Sequence, residues 1–314
     1  MKNYVTLFDS NYLPQGMALY ISMKRNLRNF QLWIICIDLN TYNILTKLNF
    51  ENVKLINLLD VETEELKKIK KHRSKVEYCW TLTPFAPKFV FDIDKLIKRV
   101  TYIDADIWFM QSDESIVKDF ESSGKCVLIT DHSYSAEFDM SHLSGKYCVQ
   151  YIIFEKNGSK DILKKWQKQC IEWCFARHED GKFGDQKYLD TWPLVFSKLV
   201  YILQNKELIL APWNAFRFPY GNSVCWHFHS LKIVEVQNRT LFIDYGTYPL
   251  PLCVKKYVYE PYINDLIFSI KILVKYQAFT PQRNKLYFLV KILRYIKQIY
   301  NRIKNNQTYM KVKI

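Results

Sequence analysis

Two aspartates one residue apart, Asp104 and Asp106, close an apolar stretch, Val100-Thr101-Tyr102-Ile103, and precede another, Ile107-Trp108-Phe109-Met110. On a strand, residues i and i+2 share a face, so the spacing predicts two carboxylates addressing one ligand at the strand's carboxyl end. Open α/β sheets bind their ligands at that end. Two carboxylates so close raise each other's pKa unless a cation lies between them, and oxygen donors favour Mg²⁺ or Mn²⁺. A cation held there would grip a diphosphate. The plainer alternative has one Asp capping the following turn and the other in solvent.

The chain that must position this pair has 314 residues, 49% of them hydrophobic and 16% aromatic, with only 8 Gly and 10 Pro. That composition excludes a disordered chain and a Gly-rich repeat. Short apolar runs at 4–8, 32–37 and 53–59 read as strands. The first halts at Asp9-Ser10-Asn11, with a helix starting behind Pro14, and the third leads into a charged helix at 64–73. Continuous apolar strands alternating with helices predict an α/β fold whose mainly parallel sheet is covered on both faces. A helix over 88–98 then delivers the chain to the strand before Asp104. Further strands are expected at 127–130 and 149–154, a long amphipathic helix over 159–177, a flexible turn at 181–186, and shorter strands towards His227 and His229.

The formal net charge is +14, but eleven Lys and Arg against one acid lie between Tyr262 and Ile314. The remaining body is nearly neutral, which argues against a nucleic acid bound through the main fold. Leu289, Ile292, Ile296, Ile299 and Ile303 alternate with basic residues at helical steps, so 258–314 reads as a basic amphipathic helical tail after a 1–257 domain. Such a tail suits an anionic membrane surface, each basic residue near it contributing about 1 kcal/mol. The other reading is a helical cap packed on the domain. The eight cysteines are scattered, and only Cys170 and Cys174 are close, without a second Cys/His pair at zinc-finger spacing. They read as reduced core thiols, and with no signal-like leader or uncharged 18-residue apolar stretch the expected compartment is the cytosol.

The segment YIDADIWF, about a hundred residues in and after three α/β units, resembles the DxD site of GT-A fold, nucleotide-sugar-dependent glycosyltransferases. The chain is similar to family 8 of these enzymes, the lipopolysaccharide galactosyltransferases and glycogenin. Asp9, Asn11 and Tyr12 in FDSNY match the family's acidic loop for the nucleotide base. Asp185 and Gln186 in FGDQKYLD match its substrate-side pair, and His227, Ser230 and Lys232 in WHFHSLK match its late metal and diphosphate motif, with Ser230 standing where the family usually has Gly. The stretch from Glu172 to Pro193, followed by LAPWN, looks like bacterial glycosyltransferases of cell-surface polysaccharide clusters.

The resemblance implies a GT-A, Rossmann-like mixed sheet and a UDP-sugar donor with Mn²⁺ or Mg²⁺. Asp106 and His227 would bind the metal, Asp104 would bridge metal and ribose, and Lys232 would neutralise the diphosphate, with His229 as a substitute ligand. Asp185 would bind sugar hydroxyls and Gln186 would lie near the anomeric carbon, in a hexosyl or N-acetylhexosaminyl transfer with retention. A helix N-cap is the competing role for Asp185. The implied acceptor is a cell-surface polysaccharide, lipopolysaccharide or lipid-linked glycan, which a tail on the cytoplasmic face of the inner membrane would bring within reach. Trp213, Asn214 and Arg217 line a sugar or acceptor pocket or simply pack. Lys88 lies near where related enzymes place a donor-binding base. A haloacid-dehalogenase-type phosphatase is excluded by Trp108 two residues after Asp106, and a nucleotidyltransferase by the acidic loop after the first strand. A non-catalytic GT-A scaffold that binds nucleotide or glycan remains the alternative.

Overall fold

The computed structural model describes residues 1–237, 240–276, 282–283 and 309–313. Strand β1 (Lys2–Phe8) is followed by α1 (Leu13–Asn26), with Pro14 in the first turn, where a missing N–H costs nothing. Then come β2 (Phe30–Cys36), α2 (Leu39–Leu48), β3 (Val53–Asn57) and the helices α3 (Glu64–Lys70), α4 (Lys75–Leu82) and α5 (Ala86–Ile93). After β4 (Arg99–Ile103) and β5 (Ile107–Phe109) follow α6 (Glu114–Ser123), β6 (Val127–Asp131), β7 (Tyr147–Glu155), α7 (Lys160–Glu172) and β8 (Val200–Ile202). The helix expected over 88–98 stops at Ile93, where Asp94 turns extended. The one expected over 159–177 stops at Glu172, where extended Trp173 and buried Cys174 turn into the core.

The main sheet has the order β3-β2-β1-β4-β7-β6-β8. Strands β1 to β4 run parallel, β7 is antiparallel to both β4 and β6, and β8 is parallel to β6. Every residue of β2 is buried, as expected for a strand with helices on both faces. One face packs Val5, Trp33 and Tyr102 against residues of α3, α4, α5 and α7, including Trp166. The other packs Tyr4, Leu32 and Tyr151 against α1, α2 and α6. The mainly parallel α/β sheet predicted from the apolar runs is what the chain forms, and the antiparallel β7 makes it the mixed sheet that the resemblance implies.

At Ile103 the chain leaves this sheet. Asp104 donates its N–H to the Gln150 carbonyl of β7 at 3.2 Å, and Ile107 N–H bonds back to the Asp104 carbonyl at 3.2 Å, closing a turn. Strand β5 then enters a second sheet, antiparallel to β10 (Cys225–His227), which runs parallel to β9 (Ile209–Leu210). Asp104 and Asp106 therefore lie in a turn between two sheets. They are brought together by that turn, not by the strand alternation their spacing suggested. A third sheet has the order β13 (Gln282–Arg283), β11 (Lys232–Gln237), β12 (Thr240–Asp244) and β14 (Tyr309–Lys313).

Helix α8 (Glu260–Lys275), the first part of the basic stretch, lies against α1. Its buried Asp265 accepts from Arg25 at 2.8 Å and from the Trp108 indole N–H at 2.7 Å. Tyr262 stacks on Phe228 with ring centroids 3.5 Å apart. The amphipathic stretch at 285–304, which carries the expected membrane-facing character, lies outside the described residues. Among the described residues no helix is long and apolar enough to cross a membrane, and the eight cysteines are free.

Ser230 adopts a left-handed backbone conformation, φ +65°. Gly246 interlocks with it, since a Cβ there would stand 3.1 Å from the Ser230 Cβ. A left-handed non-glycine residue costs about 1–2 kcal/mol, partly offset by the smaller unfolded-state entropy that a side chain brings. Ser230→Gly is therefore expected to stabilise the protein by about 0.5–1 kcal/mol, read from a urea-unfolding midpoint. Unchanged or lower stability would show that the serine hydroxyl compensates the strain.

Candidate active site

Asp104 and Asp106 meet His227 because β5 and β10 pair in register, Ile107 opposite His227, and because Phe228 N–H bonds to the Asp106 carbonyl at 2.9 Å. The His227 Nε2 lies 3.2 Å from Asp106 Oδ1 and 3.8 Å from Asp104 Oδ2. One donor atom from each of the three residues falls within 4.8 Å of the other two. Burial, then repulsion from Asp106, pushes the Asp104 carboxyl up to about 6 against the pull of His227. Burial also opposes ionisation of Asp106, but the adjacent His227 outweighs it and holds that carboxyl below its ordinary value. The His227 imidazole is desolvated, yet Asp106 raises its pKa well above the usual value. Two carboxylates and one imidazole nitrogen, crowded and mutually perturbed, fit a divalent cation that prefers oxygen and nitrogen donors.

The orientation of His227 is fixed from behind. Its Nδ1–H donates to Gln150 Oε1 at 2.8 Å, which turns Nε2 toward the aspartates. Trp213, 3% exposed, meets the same ring edge-on at 5.4 Å. Tyr102 donates to Asp104 Oδ1 at 2.9 Å. The sequence reading did not find Gln150 or Tyr102. The signal for Gln150 in the sequence is a lone amide inside the apolar run Val149–Phe154, which the structure buries fully. Outer-shell partners of this kind change metal affinity by about 10–100-fold. Gln150→Leu is expected to weaken Mn²⁺ binding by about that factor, measured by titrating the free Mn²⁺ paramagnetic signal; an unaltered affinity would remove Gln150 from the site.

The loop after β1 lies at the same end of the sheet. Asp9 accepts from the Asn11 backbone N–H at 3.0 Å and from the Asn11 side chain at 2.8 Å. Asp38 secures it by accepting from the Ser10 N–H and hydroxyl while capping α2 through Thr41. Tyr12, although 42% exposed, lies near the Asp104–Asp106–His227 cluster: partial desolvation, then the Asp106 charge, raises its hydroxyl pKa, with Asp9 and Asp104 adding to the effect.

Asp185 is 2% exposed, and its Oδ2 has no hydrogen-bond partner among the described residues. Burial, with repulsion from Asp104, pushes its carboxyl up to about 7. It does not cap the following 3-10 turn, whose N-cap is Gln186. The Gln186 amide donates to the Ser144 carbonyl at 2.7 Å. Lys232 is exposed at the start of β11. Lys88 pairs with Asp92 on the exposed side of α5. His229 meets Trp213 edge-on at 5.4 Å and stands outside the three-residue cluster. Asn214 is buried and holds the Ala211 N–H and the His132 carbonyl, a packing role, while Arg217 donates to the Tyr134 carbonyl.

The fold is the GT-A glycosyltransferase fold. The chain superposes on the apo form of the glycosyltransferase GlyE of Streptococcus pneumoniae TIGR4 with a TM-score of 0.52 and 12% identity, over 91% of this chain and 66% of that one. It superposes on mouse xyloside xylosyltransferase 1 with a TM-score of 0.50 and 10% identity, over 73% of this chain and 97% of that one. No protein-family model matches. In sequence the chain is 30% identical over 254 residues to the uncharacterized protein YfnF of Bacillus subtilis (strain 168), covering 74% of this chain and 82% of YfnF, and it belongs to the same family as YfnF.

Proposed function

We propose that the protein is a metal-dependent glycosyltransferase that moves a hexosyl or N-acetylhexosaminyl group from a UDP-sugar, with retention, to a cell-surface or lipid-linked glycan. The observation that carries this reading is the Asp104–Asp106–His227 cluster at the carboxyl end of β4 on a GT-A fold. Departure of a nucleoside diphosphate requires neutralisation of growing negative charge, and Mn²⁺ or Mg²⁺ supplies that when bound. Asp106 and His227 would hold the ion, and Asp104, oriented by Tyr102, would serve the ion and the ribose. Asp9, Asn11 and Tyr12 form the base loop, braced from Asp38. Lys232 meets the diphosphate from the exposed edge of β11. Asp185, buried with a free oxygen, accepts from sugar hydroxyls, and Gln186, tethered to Ser144, lines the sugar on its other side. Excess basic charge beyond Tyr262 favours a place on the cytoplasmic face of the inner membrane, where a lipid-linked acceptor is found in two dimensions.

Thermal unfolding with UDP, GDP, CDP and ADP, each with and without Mn²⁺, tests the proposal. A ligand at a hundred times its dissociation constant adds about 2.7 kcal/mol. Stabilisation by UDP only in the presence of Mn²⁺ is the expected result. A protein indifferent to every nucleotide would leave the glycan-binding scaffold as the better account.

A further inference from the structure

Asp185 and Gln186 lead into a 3-10 turn, Lys187–Thr191, that is anchored in the core: Leu189 is fully buried, and the Asp185 carbonyl accepts from the Trp166 indole N–H at 2.8 Å. Against this turn lies the last part of the connection from β6 to β7, a helical turn Ser141–Ser144 followed by Gly145 and Lys146. None of the four side chains of that helical turn is buried, and the preceding Met140 is 36% exposed. A segment with no apolar anchor keeps its place only through polar contacts, which is the condition for low local stability.

Those contacts come from Gln186, Lys187 and Asp190. The Lys187 ammonium, on a side chain only 15% exposed, donates to the Ser141 carbonyl at 2.9 Å and to the His142 carbonyl at 2.8 Å, with Asp190 Oδ2 at 2.9 Å as its counter-ion. A lysine suits that place, because so short a helical turn leaves carbonyls without intrahelical donors. Asp190 turns its other oxygen to the Lys146 N–H at 2.8 Å. The Gln186 amide completes the set by donating to the Ser144 carbonyl at 2.7 Å. Gly145 permits the close approach: its φ is +109°, and a Cβ there would stand 3.4 Å from Asp190 Oδ1 and from the Lys187 Cα.

Ser144 can fix the Gln186 amide only while the 141–146 segment is itself held, and Lys187 supplies two of the bonds that hold it. With an amide N–H spent on Ser144, the carbonyl oxygen remains as the acceptor that Gln186 can offer to a sugar hydroxyl. We infer that Lys187 is a positioning residue for sugar transfer: it latches the 141–146 segment to the turn that follows Asp185 and, through the Ser144 carbonyl, fixes the Gln186 side chain. The inference rests on the glycosyltransferase reading and adds to it a residue that acts through Gln186.

Hydrogen–deuterium exchange on the full chain without nucleotide reads the latch. Lys187→Met is expected to speed exchange over 139–146 by at least about 10-fold while leaving β1 and β4 unchanged, and Lys187→Arg, which still donates to carbonyls, to keep the native rate. Transfer from a UDP-sugar reads the positioning. Lys187→Met is expected to lower kcat by about 10–100-fold, with the KM for the UDP-sugar and the thermal shift with UDP and Mn²⁺ retained. In a Gln186→Ala background the same change is expected to cost less than about twofold, since the side chain it acts through is gone. Native exchange over 139–146 in Lys187→Met, or losses that multiply in the double variant, overturns the inference. The two readings fail separately: a protein that neither shifts with UDP and Mn²⁺ nor transfers any sugar fails as a transferase and takes the positioning role with it, whereas a transferase whose Lys187→Met variant keeps native kcat fails only here.

Discussion

Asp106→Asn is expected to abolish measurable sugar transfer, by at least about 10²–10³-fold, and to weaken Mn²⁺ binding to a similar degree. The change is isosteric and leaves the backbone bond from Phe228 to the Asp106 carbonyl in place, so the turn between β4 and β5 survives. What goes is the charge that faces His227 at 3.2 Å. An amide oxygen is a weaker ligand than a carboxylate, and His227 loses the partner that most raises its pKa. Product formation from a UDP-sugar, followed by chromatography, and Mn²⁺ titration by its paramagnetic signal are the two readouts. Full transfer with normal Mn²⁺ affinity would refute the assignment of Asp106 as a ligand.

The second large effect concerns Asp185, where activity and stability move in opposite directions. Its carboxyl is pushed up to about 7 in the folded protein, chiefly by burial, against about 3.9 for an ordinary aspartate. A raised folded pKa means that the native state holds the proton more tightly than the unfolded chain. The associated stability is fully present below about pH 4 and is lost as pH rises through about 7. At pH 8 the ionised, buried carboxylate weighs against the fold by roughly 2–4 kcal/mol. Asp185→Asn is therefore expected to raise the urea-unfolding midpoint of the metal-free protein at pH 8, to have little effect at pH 4, and to lose sugar transfer by about 10²-fold or more. A variant that transfers normally would place Asp185 outside the sugar site. One whose stability gain is the same at both pH values would deny that the carboxylate charge is the cause.

Much of this site could be read before any coordinates. Asp104, Asp106 and His227 stand together as the motif order implied, because the family resemblance encodes which distant segments share the carboxyl end of the sheet. The apolar runs at 4–8, 32–37 and 53–59 located β1, β2 and β3 to within a few residues; β1 and β2 are largely buried on both faces, which leaves little choice of composition, while β3 is an edge strand with only Ile56 buried. The turn at Asp104–Asp106 was read as strand because spacing alone cannot distinguish alternation from a tight turn. The residues that orient ligands were harder. Gln150 lies 77 residues from His227 in the chain, and a single buried amide carries no indication of which partner it serves. Helix ends at Ile93 and Glu172 were overrun because tertiary burial, as at Cys174, ended the helices inside stretches whose composition still favours them.

The bond from Trp108 to Asp265 spans 157 residues of sequence. The chain is made from its amino terminus, so Asp104 and Asp106 leave the ribosome long before α8 can supply the acceptor for that indole and the Tyr262 ring beneath Phe228. Until then the Trp108 indole can pack into its place only by burying an N–H without a partner, at a cost of about 1–3 kcal/mol. A polypeptide interrupted ahead of Glu260 would thus carry Asp104, Asp106 and His227 without the contacts that α8 makes with Trp108 and Phe228, their neighbours in the chain.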